Sequence, residues 1–190
     1  GRKQLPELLR ELAKVDGIER IRLLYTYPEE INDELIEAIK SEPKVCHYID
    51  MPIQHASDRV LKRMGRRTSN ADLRNIIKKL RCEIPDIVLR TTLITGFPGE
   101  RLSDYRILKE FVSDIGFDRL GVFTYSREEG TAAANMKGQL PEFVKKLRRN
   151  GIMKLQQHIV YEKNEAMVGR ELSVSVDGKL VEDGVYVTRS

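Results

Sequence analysis

The chain has 190 residues, of which 41% are hydrophobic and 33% charged, a composition typical of a globular protein with a core. Its net charge of +4 arises from 33 basic and 29 acidic residues, which is too small a surplus to indicate nucleic-acid binding. No apolar run approaches the roughly 18 residues that span a bilayer, and no signal-peptide pattern opens the chain. We therefore expect a cytoplasmic protein with no membrane partner, and the appearance of both ends suggests a fragment.

Predicted strands and helices alternate along most of the chain. In order, we predict a helix at 6–15, a strand at 20–26, a helix from Asn32, a strand at 48–54, a helix at 57–64, a helix from Ser69, a strand at 88–95, a helix at 103–115, a strand at 120–126 and a helix at 141–167. Ser57 is a good N-cap residue, and Gly65 ends the helix that follows it. This alternation predicts an α/β fold with a parallel sheet and right-handed crossovers.

The final residues follow a different pattern. Leu172, Val174 and Val176 alternate with polar residues, and Asp177-Gly178 and Asp183-Gly184 are turn signals. We predict the first hairpin of a small β domain. The expected domains are thus part of a barrel at 1–140, a linking helix at 141–167 and the start of a β domain at 168–190.

Three predicted strands each have one apolar face and one face that bears a charge, namely Arg22, Asp50 or Arg90. Burying a lone charge is costly, so these side chains should meet partners or a polar ligand. A barrel or partial barrel, with apolar faces under helices and polar faces around a cavity, satisfies this condition. The alternative is a structural network of these three residues without any ligand.

The predicted strand ends carry the remaining candidate residues. Chemistry in barrels of parallel strands lies where the strands end. Here Gln54 and His55 follow one strand, and residues 96–100 follow another. Gly96 and Gly99 allow close approach of backbone to a ligand, and Phe97 offers a flat face for an adenine. For His55, a functional and a structural role remain equally open.

Two further groups of residues have weaker implications. Cys46 and Cys82 are far apart and outside any CxxC pattern, so we expect structural thiols and no metal site. The densest basic run consists of Lys62, Arg63, Arg66 and Arg67. This run either forms a solvated face or a contact with another protein, or it contacts phosphate.

Three segments resemble the methylthiotransferases of the radical S-adenosylmethionine (SAM) superfamily. They are YIDMPIQHASDRVLKRMGR at 48–66, LRTTLITGFPGE at 89–100 and FTYSREEGT at 123–131. The sequences at 50–55 and 125–131 are similar to those of the branch that modifies an aspartate of small-subunit ribosomal protein S-twelve. The competing branch modifies an adenosine beside a transfer-RNA anticodon.

The resemblance implies a fold and a chemistry. The fold would be a partial TIM-like (β/α) barrel of the radical SAM type, truncated at its N-terminal strands, with the start of a small β-barrel TRAM domain at 168–190. A [4Fe–4S] cluster would bind SAM and cleave it to a radical that removes hydrogen from an unactivated carbon. Sulfur and methyl groups would then be added, with a second cluster involved.

The resemblance also implies site residues. The cofactor-binding set is Gln54, Ser57, Arg90, Thr92, Gly96, Phe97, Pro98, Gly99, Glu100, Phe123 and Tyr125. The substrate-side set is His55, Asp50 and Arg22. The partner would be ribosomal protein S-twelve, with ribosome or RNA contacts through the TRAM domain.

The cysteine loop that holds the radical cluster is expected upstream of residue 1. The chain would then have no catalytic residue of its own, bind no metal and be inactive alone. A non-catalytic ribosome- or RNA-docking module is the alternative from a different functional class. A phosphate-binding barrel enzyme lacks support, because no Gly-rich loop with a phosphate-lysine pattern precedes a helix.

Overall fold

The structure is a computed structural model that describes residues 4–180 and 184–189. Its helices are α1 (Leu5–Ala13), α2 (Asp33–Ser41), α3 (Asp58–Arg63), α4 (Asn70–Glu83), α5 (Leu102–Ile115) and α6 (Glu142–Glu165). Its strands are β1 (Ile21–Leu23), β2 (Val45–Asp50), β3 (Val88–Thr95), β4 (Arg119–Thr124), β5 (Ser175–Lys179) and β6 (Tyr186–Arg189). No helix in the described ranges is long and apolar enough to cross a membrane.

The first four strands form one parallel sheet in the order β1-β2-β3-β4. Residues of β3 alternate strictly between buried and half-buried, so one face of the sheet is covered and the other is open. The covered face contributes Ile49, Leu89 and Leu93 to a core that also contains residues of all six helices, among them Leu61 of α3. The predicted α/β fold with a parallel sheet is confirmed.

Two helices, α2 and α4, begin with the expected capping chemistry. The Asn32 side chain accepts the Leu35 N–H at 2.9 Å at the start of α2. At the start of α4, the Ser69 N–H bonds to the Asp72 carboxylate at 2.8 Å, and the Asp72 N–H bonds back to the Ser69 hydroxyl at 3.2 Å. Ser57 stands at the N-cap position of α3, but its hydroxyl makes no capping bond.

Three predicted strands differ from the observed ones. The strand predicted at 120–126 is observed at Arg119–Thr124. The strand predicted at 20–26 ends at Leu23, because Tyr25 has a φ of 58° and cannot continue an extended strand. The strand predicted at 48–54 begins at Val45 and ends at Asp50, where an irregular segment follows. The strand predicted at 88–95 is observed with those limits.

The chain divides into two compact units, residues 1–160 and 161–190. The second unit contains the antiparallel pair β5–β6. The predicted turn at Asp177-Gly178 is wrong, because both residues lie inside β5, and Asp183 lies outside the described residues. The proposed domain limits at 140 and 167 stay predictions.

Candidate functional site

An irregular segment follows β2 at the carboxyl end of the sheet. Met51 donates its N–H to Arg90 O at 2.9 Å, and Gln54 donates its N–H to Thr92 O at 3.0 Å. The three residues 51–53 therefore stand opposite the two residues 90–91 of β3. The extra residue makes a β-bulge, and Gln54 adopts a φ of 68°. Residues other than glycine rarely adopt this conformation, and such outliers concentrate at functional sites. Gln54 therefore has a fixed and unusual position on the rim of the sheet.

The turn at residues 96–100 follows β3. Gly96 donates its N–H to the Glu100 carboxylate at 2.7 Å and has a φ of 77°. Lys145 fills the space beside it, because a Cβ on Gly96 would lie 2.3 Å from Lys145 Cγ. Packing alone therefore requires glycine at this position. The close approach of a ligand suggested by the sequence stays a prediction.

Glu100, Arg148 and His55 form a buried cluster of polar side chains beside this turn. Glu100 is 4% exposed and accepts a hydrogen bond from Arg148 Nη1 at 2.5 Å. His55 is fully buried, with Nε2 at 3.6 Å from Glu100 Oε2, and its Nδ1 accepts the Ser57 N–H at 2.9 Å. Because Nδ1 accepts this hydrogen bond, Nε2 is the ring nitrogen that faces Glu100. Burial raises the pKa of Glu100, but His55 and Arg148 outweigh burial and hold the pKa below its ordinary value.

A second buried carboxylate, Asp104, joins α5 to the start of α3. It accepts bonds from the Ser57 hydroxyl at 2.7 Å, the Arg101 N–H at 2.7 Å and the Arg59 guanidinium. Burial raises the pKa of Asp104, but Arg59 and Ser57 outweigh burial and lower the pKa to about 2. The Ser57 hydroxyl, a predicted cofactor contact, thus donates its hydrogen bond to a protein carboxylate in this structure.

Backbone carbonyls of the 96–100 turn are held by two arginines of α3. Arg59 donates to Gly99 O at 2.6 Å, and Arg63 donates to Pro98 O at 3.0 Å. A guanidinium that bonds a carbonyl fixes the turn without competing for its N–H groups. Half-buried Arg63, one residue of the basic run noted in the sequence, therefore supports the rim.

Two of the three predicted aromatic residues pack against each other. Phe97 and Tyr125 are buried and meet edge to face, with ring centroids 5.3 Å apart. Lys145 Nζ donates to Tyr125 O at 2.8 Å and holds the end of β4. Phe123 is 62% exposed and lies beside Ile94 on the open face of the sheet. Phe123, rather than Phe97, therefore has a free ring face for a planar ligand.

The open face carries a charged layer. Arg90 Nη1 donates to Asp50 Oδ2 at 2.6 Å, and these residues are register partners on adjacent strands. Arg119 is the next partner in register, and the Arg22 guanidinium lies 4.6 Å from the centre of the Tyr48 ring. Asp50 is fully buried, and its Oδ1 has no hydrogen-bond partner among the described residues. Arg22, Asp50 and Arg90 therefore lie on one sheet face, while their role toward a ligand stays a prediction.

This layer is deeper than the rim. Arg90 precedes Thr95, the last residue of β3, by five positions, which correspond to about 16 Å of extended strand. Half-buried Thr92 lies between the two levels, on the same face as Arg90. The structure thus divides the predicted cofactor-binding residues into a rim group around Gln54 and a deeper group around Arg90.

Several residues that hold the site together were missed from the sequence. Asp104 pairs with Ser57 from 47 positions away, and Arg148 pairs with Glu100 from 48 positions away. Pairs so distant in sequence leave no local pattern that predicts them. Arg119 was detectable, because it alternates with Gly121 and Phe123 on one face of β4.

Metal-binding groups are not assembled in the described part of the chain. Within residues 4–180 and 184–189, no three His, Cys, Asp or Glu side chains converge on one point. Cys46 is half-buried and Cys82 is exposed, and both are free thiols. Iron–sulfur clusters are held by several cysteine thiolates, so the described residues do not fit such a cluster.

The chain is similar in sequence to known proteins. Residues 1–112 match the sequence profile of the Radical SAM superfamily. The chain is 62% identical over its full length to the ribosomal protein uS12 methylthiotransferase RimO of Lachnoclostridium phytofermentans, of which it covers 43%. It is 56% identical, over 98% of its length, to the protein of the same name from Acetivibrio thermocellus, of which it covers 41%.

The protein of this name from Geobacter sulfurreducens is 53% identical over 94% of the chain. The chain thus spans about two fifths of the length of the curated relatives it matches, at 43%, 41% and 40% of their lengths. The resemblance carried by residues 48–66, 89–100 and 123–131 is confirmed. The profile match covers more than half of the chain, and the chain belongs to the radical SAM superfamily.

Proposed function

We propose that the chain is part of a radical SAM methylthiotransferase that adds a methylthio group to the β-carbon of an aspartate in ribosomal protein uS12. The observation that carries this proposal is the 62% identity, over the whole chain, to a protein named for that activity. The sequences of residues 50–55 and 125–131 are similar to those of the ribosomal-protein branch, and this similarity supports the same substrate. The target is a ribosomal protein, so the proposed location is the cytoplasm.

The open face of the sheet is the proposed side of the cofactor. SAM has an adenine ring and several hydrogen-bond donors, and when bound it supplies the radical that removes hydrogen from the substrate. The exposed ring of Phe123 offers a planar apolar surface, and the unpartnered Asp50 Oδ1 offers a buried acceptor. These two features fit such a ligand. The sequential order of four parallel strands supports the proposed partial barrel, whose interior this face would line.

The chain's own contribution would be binding and positioning. Gln54 would contact the cofactor from a backbone fixed by the bulge, and the 96–100 turn would present backbone groups held by Glu100. Positioning matters in this chemistry, because a reactive group that is displaced from its target reacts elsewhere. We propose that residues upstream of this chain hold the clusters and that the 190-residue chain alone is inactive.

The second unit is proposed to begin a TRAM domain. The β5–β6 hairpin exposes Val176, Val185, Tyr186 and Val187. An isolated hairpin is marginally stable in water, so these side chains suit the opening of a larger β domain. Contact with ribosome or RNA through that domain is part of the same proposal.

The substrate can be tested directly with the full-length protein, reconstituted anaerobically with iron, sulfide and SAM. We expect uS12 to gain the mass of one methylthio group in place of one hydrogen, located on an aspartate by peptide fragmentation. Transfer RNA bearing the modified adenosine should remain unchanged under the same conditions. Modification of the transfer RNA and not of uS12 would contradict the proposal, as would binding of uS12 without any SAM cleavage.

A further inference from the structure

A small cavity lies between the end of β1, the irregular segment after β2 and the residues that follow α3. Its volume is about 130 Å³, in the range of one amino-acid side chain, and its lining residues are Tyr25, Tyr27, Pro52, Gln54 and Arg66. Both tyrosines are well exposed, at 73% and 58%. The cavity is therefore open to a group that arrives from outside the protein.

The lining is rich in hydrogen-bond donors. Arg66 contributes a guanidinium, Gln54 an amide group, and Tyr25 and Tyr27 contribute hydroxyls. The five described lining residues include no carboxylate. A small concave site with one cation and several donors favours an anionic group with acceptor oxygens.

The orientation of Arg66 fits the same group. Its Cζ lies 5.2 Å from the centre of the Tyr27 ring, so the ring supports one face of the guanidinium. Within the described residues the guanidinium makes no hydrogen bond or ion pair. Stacking leaves the N–H groups at the edge available, and two of them match the two oxygens of a carboxylate.

The walls of the cavity are preorganised. Tyr25 and Gln54 have φ values of 58° and 68°, and they are the two non-glycine residues with positive φ in the described part of the chain. Both line this cavity, and the Gln54 N–H and C=O are both bonded to β3. Uncommon backbone conformations that concentrate at one concave site are typical of ligand-binding positions.

A larger neighbouring cavity of about 440 Å³ shares Tyr27 and Arg66 with this one. Glu29, Glu30 and Arg67 also line it. The two acidic side chains disfavour an anion in the larger cavity, whereas no acid lines the smaller one. An anionic group is therefore expected in the smaller cavity, beside Tyr25 and Gln54.

We propose that the smaller cavity binds a carboxylate, and that this carboxylate is the side chain of the substrate aspartate. The inference rests on the proposed function and names the place where that substrate would be held. The β-carbon of an aspartate is bonded to the carboxylate carbon, so a clamp on the carboxylate also fixes the β-carbon. Gln54 would then border both substrate and cofactor. The other source of the same chemistry is the carboxylate of the cofactor's methionine part.

The test uses the full-length, cluster-reconstituted protein with Arg66→Gln, and with Arg67→Gln as the matched control. Arg67 is the adjacent exposed arginine, and of these two cavities it lines the larger and not the smaller. We expect Arg66→Gln to weaken uS12 binding about tenfold, since hydrogen bonds to charged groups contribute on that scale. Binding of uS12 whose target aspartate is replaced by asparagine should be equal in wild type and variant. The SAM dissociation constant should be unchanged, and Arg67→Gln should resemble wild type throughout.

Several results would overturn the inference. Equal weakening for the aspartate and asparagine forms of uS12, or no weakening, would show that Arg66 does not bind the carboxylate. Weaker SAM binding with intact uS12 binding would assign the cavity to the cofactor instead. If the wild-type protein modified uS12 and Arg66→Gln left aspartate-dependent binding intact, the cavity inference alone would fail. If wild-type protein neither bound nor modified uS12, the proposed function would fail with it.

Discussion

Replacing Glu100 with glutamine is expected to lower the free energy of unfolding by about 3 kcal/mol. Arg148 is 11% exposed in its side chain and would keep its charge without a carboxylate partner. The Gly96 N–H could still bond to the amide oxygen, so the predicted loss comes mainly from the uncompensated arginine. Urea unfolding of wild type and Glu100→Gln, monitored by circular dichroism, measures this difference.

The matched control for this change is Asp114→Asn. Asp114 pairs with Arg74 at 2.8 Å, but both side chains are substantially exposed, at 46% and 38%. An exposed pair of this kind contributes about 1 kcal/mol or less. Equal losses for the two variants would show that the Glu100–Arg148 pair is no more important than a surface pair.

The pH dependence gives the same prediction a second check. The pKa of Glu100 is lower in the folded protein than in the unfolded chain, so its stabilising effect is complete above the unfolded value of about 4.3. The effect is lost as pH falls through the lower folded pKa. The stability difference between wild type and Glu100→Gln should therefore be constant near neutral pH and shrink below about pH 4.

Replacing Gly96 with alanine should destabilise the chain by about 3 kcal/mol, through two separate causes. The residue has a φ of 77°, which is strained for alanine, and the new Cβ would lie 2.3 Å from Lys145 Cγ. Lys145 cannot easily move away, because it is 7% exposed and its Nζ is bonded to Tyr125 O at 2.8 Å. Thermal and urea unfolding measure the loss.

Gly130→Ala separates the two causes. Gly130 has a φ of 79°, close to that of Gly96, but a Cβ there would have no atom within 4 Å. We expect this control to lose only the backbone contribution of about 1 kcal/mol. A loss for Gly96→Ala no larger than that of Gly130→Ala would mean that α6 does not pack tightly on the rim.

The regular parts of the fold were predictable because they repeat. The alternation in residues 88–95 gave both the limits of β3 and its two unlike faces. The positions of Asn32 and Ser69 gave two helix starts, because their side chains make local bonds. These features depend on neighbours within a few residues, and short-range patterns record them.

The departures arose where long-range packing decides the outcome. The bulge before Gln54 depends on hydrogen bonds to β3, and a single inserted residue does not interrupt the apolar pattern of residues 48–54. Phe97 was predicted to offer a free ring, but it packs on Tyr125 from another strand end. The Ser57 hydroxyl bonds to Asp104 instead of capping α3.

The most direct test of the central claim is the affinity of the full-length, cluster-reconstituted protein for SAM in variants of the open sheet face. Phe123→Ala should weaken SAM binding about tenfold, read from the SAM-dependent change in the cluster's electron paramagnetic resonance spectrum. Phe143→Ala removes a similarly exposed ring from α6, with Phe143 71% and Phe123 62% exposed, and should leave the affinity unchanged. Equal affinities for wild type and Phe123→Ala would contradict a cofactor on this face.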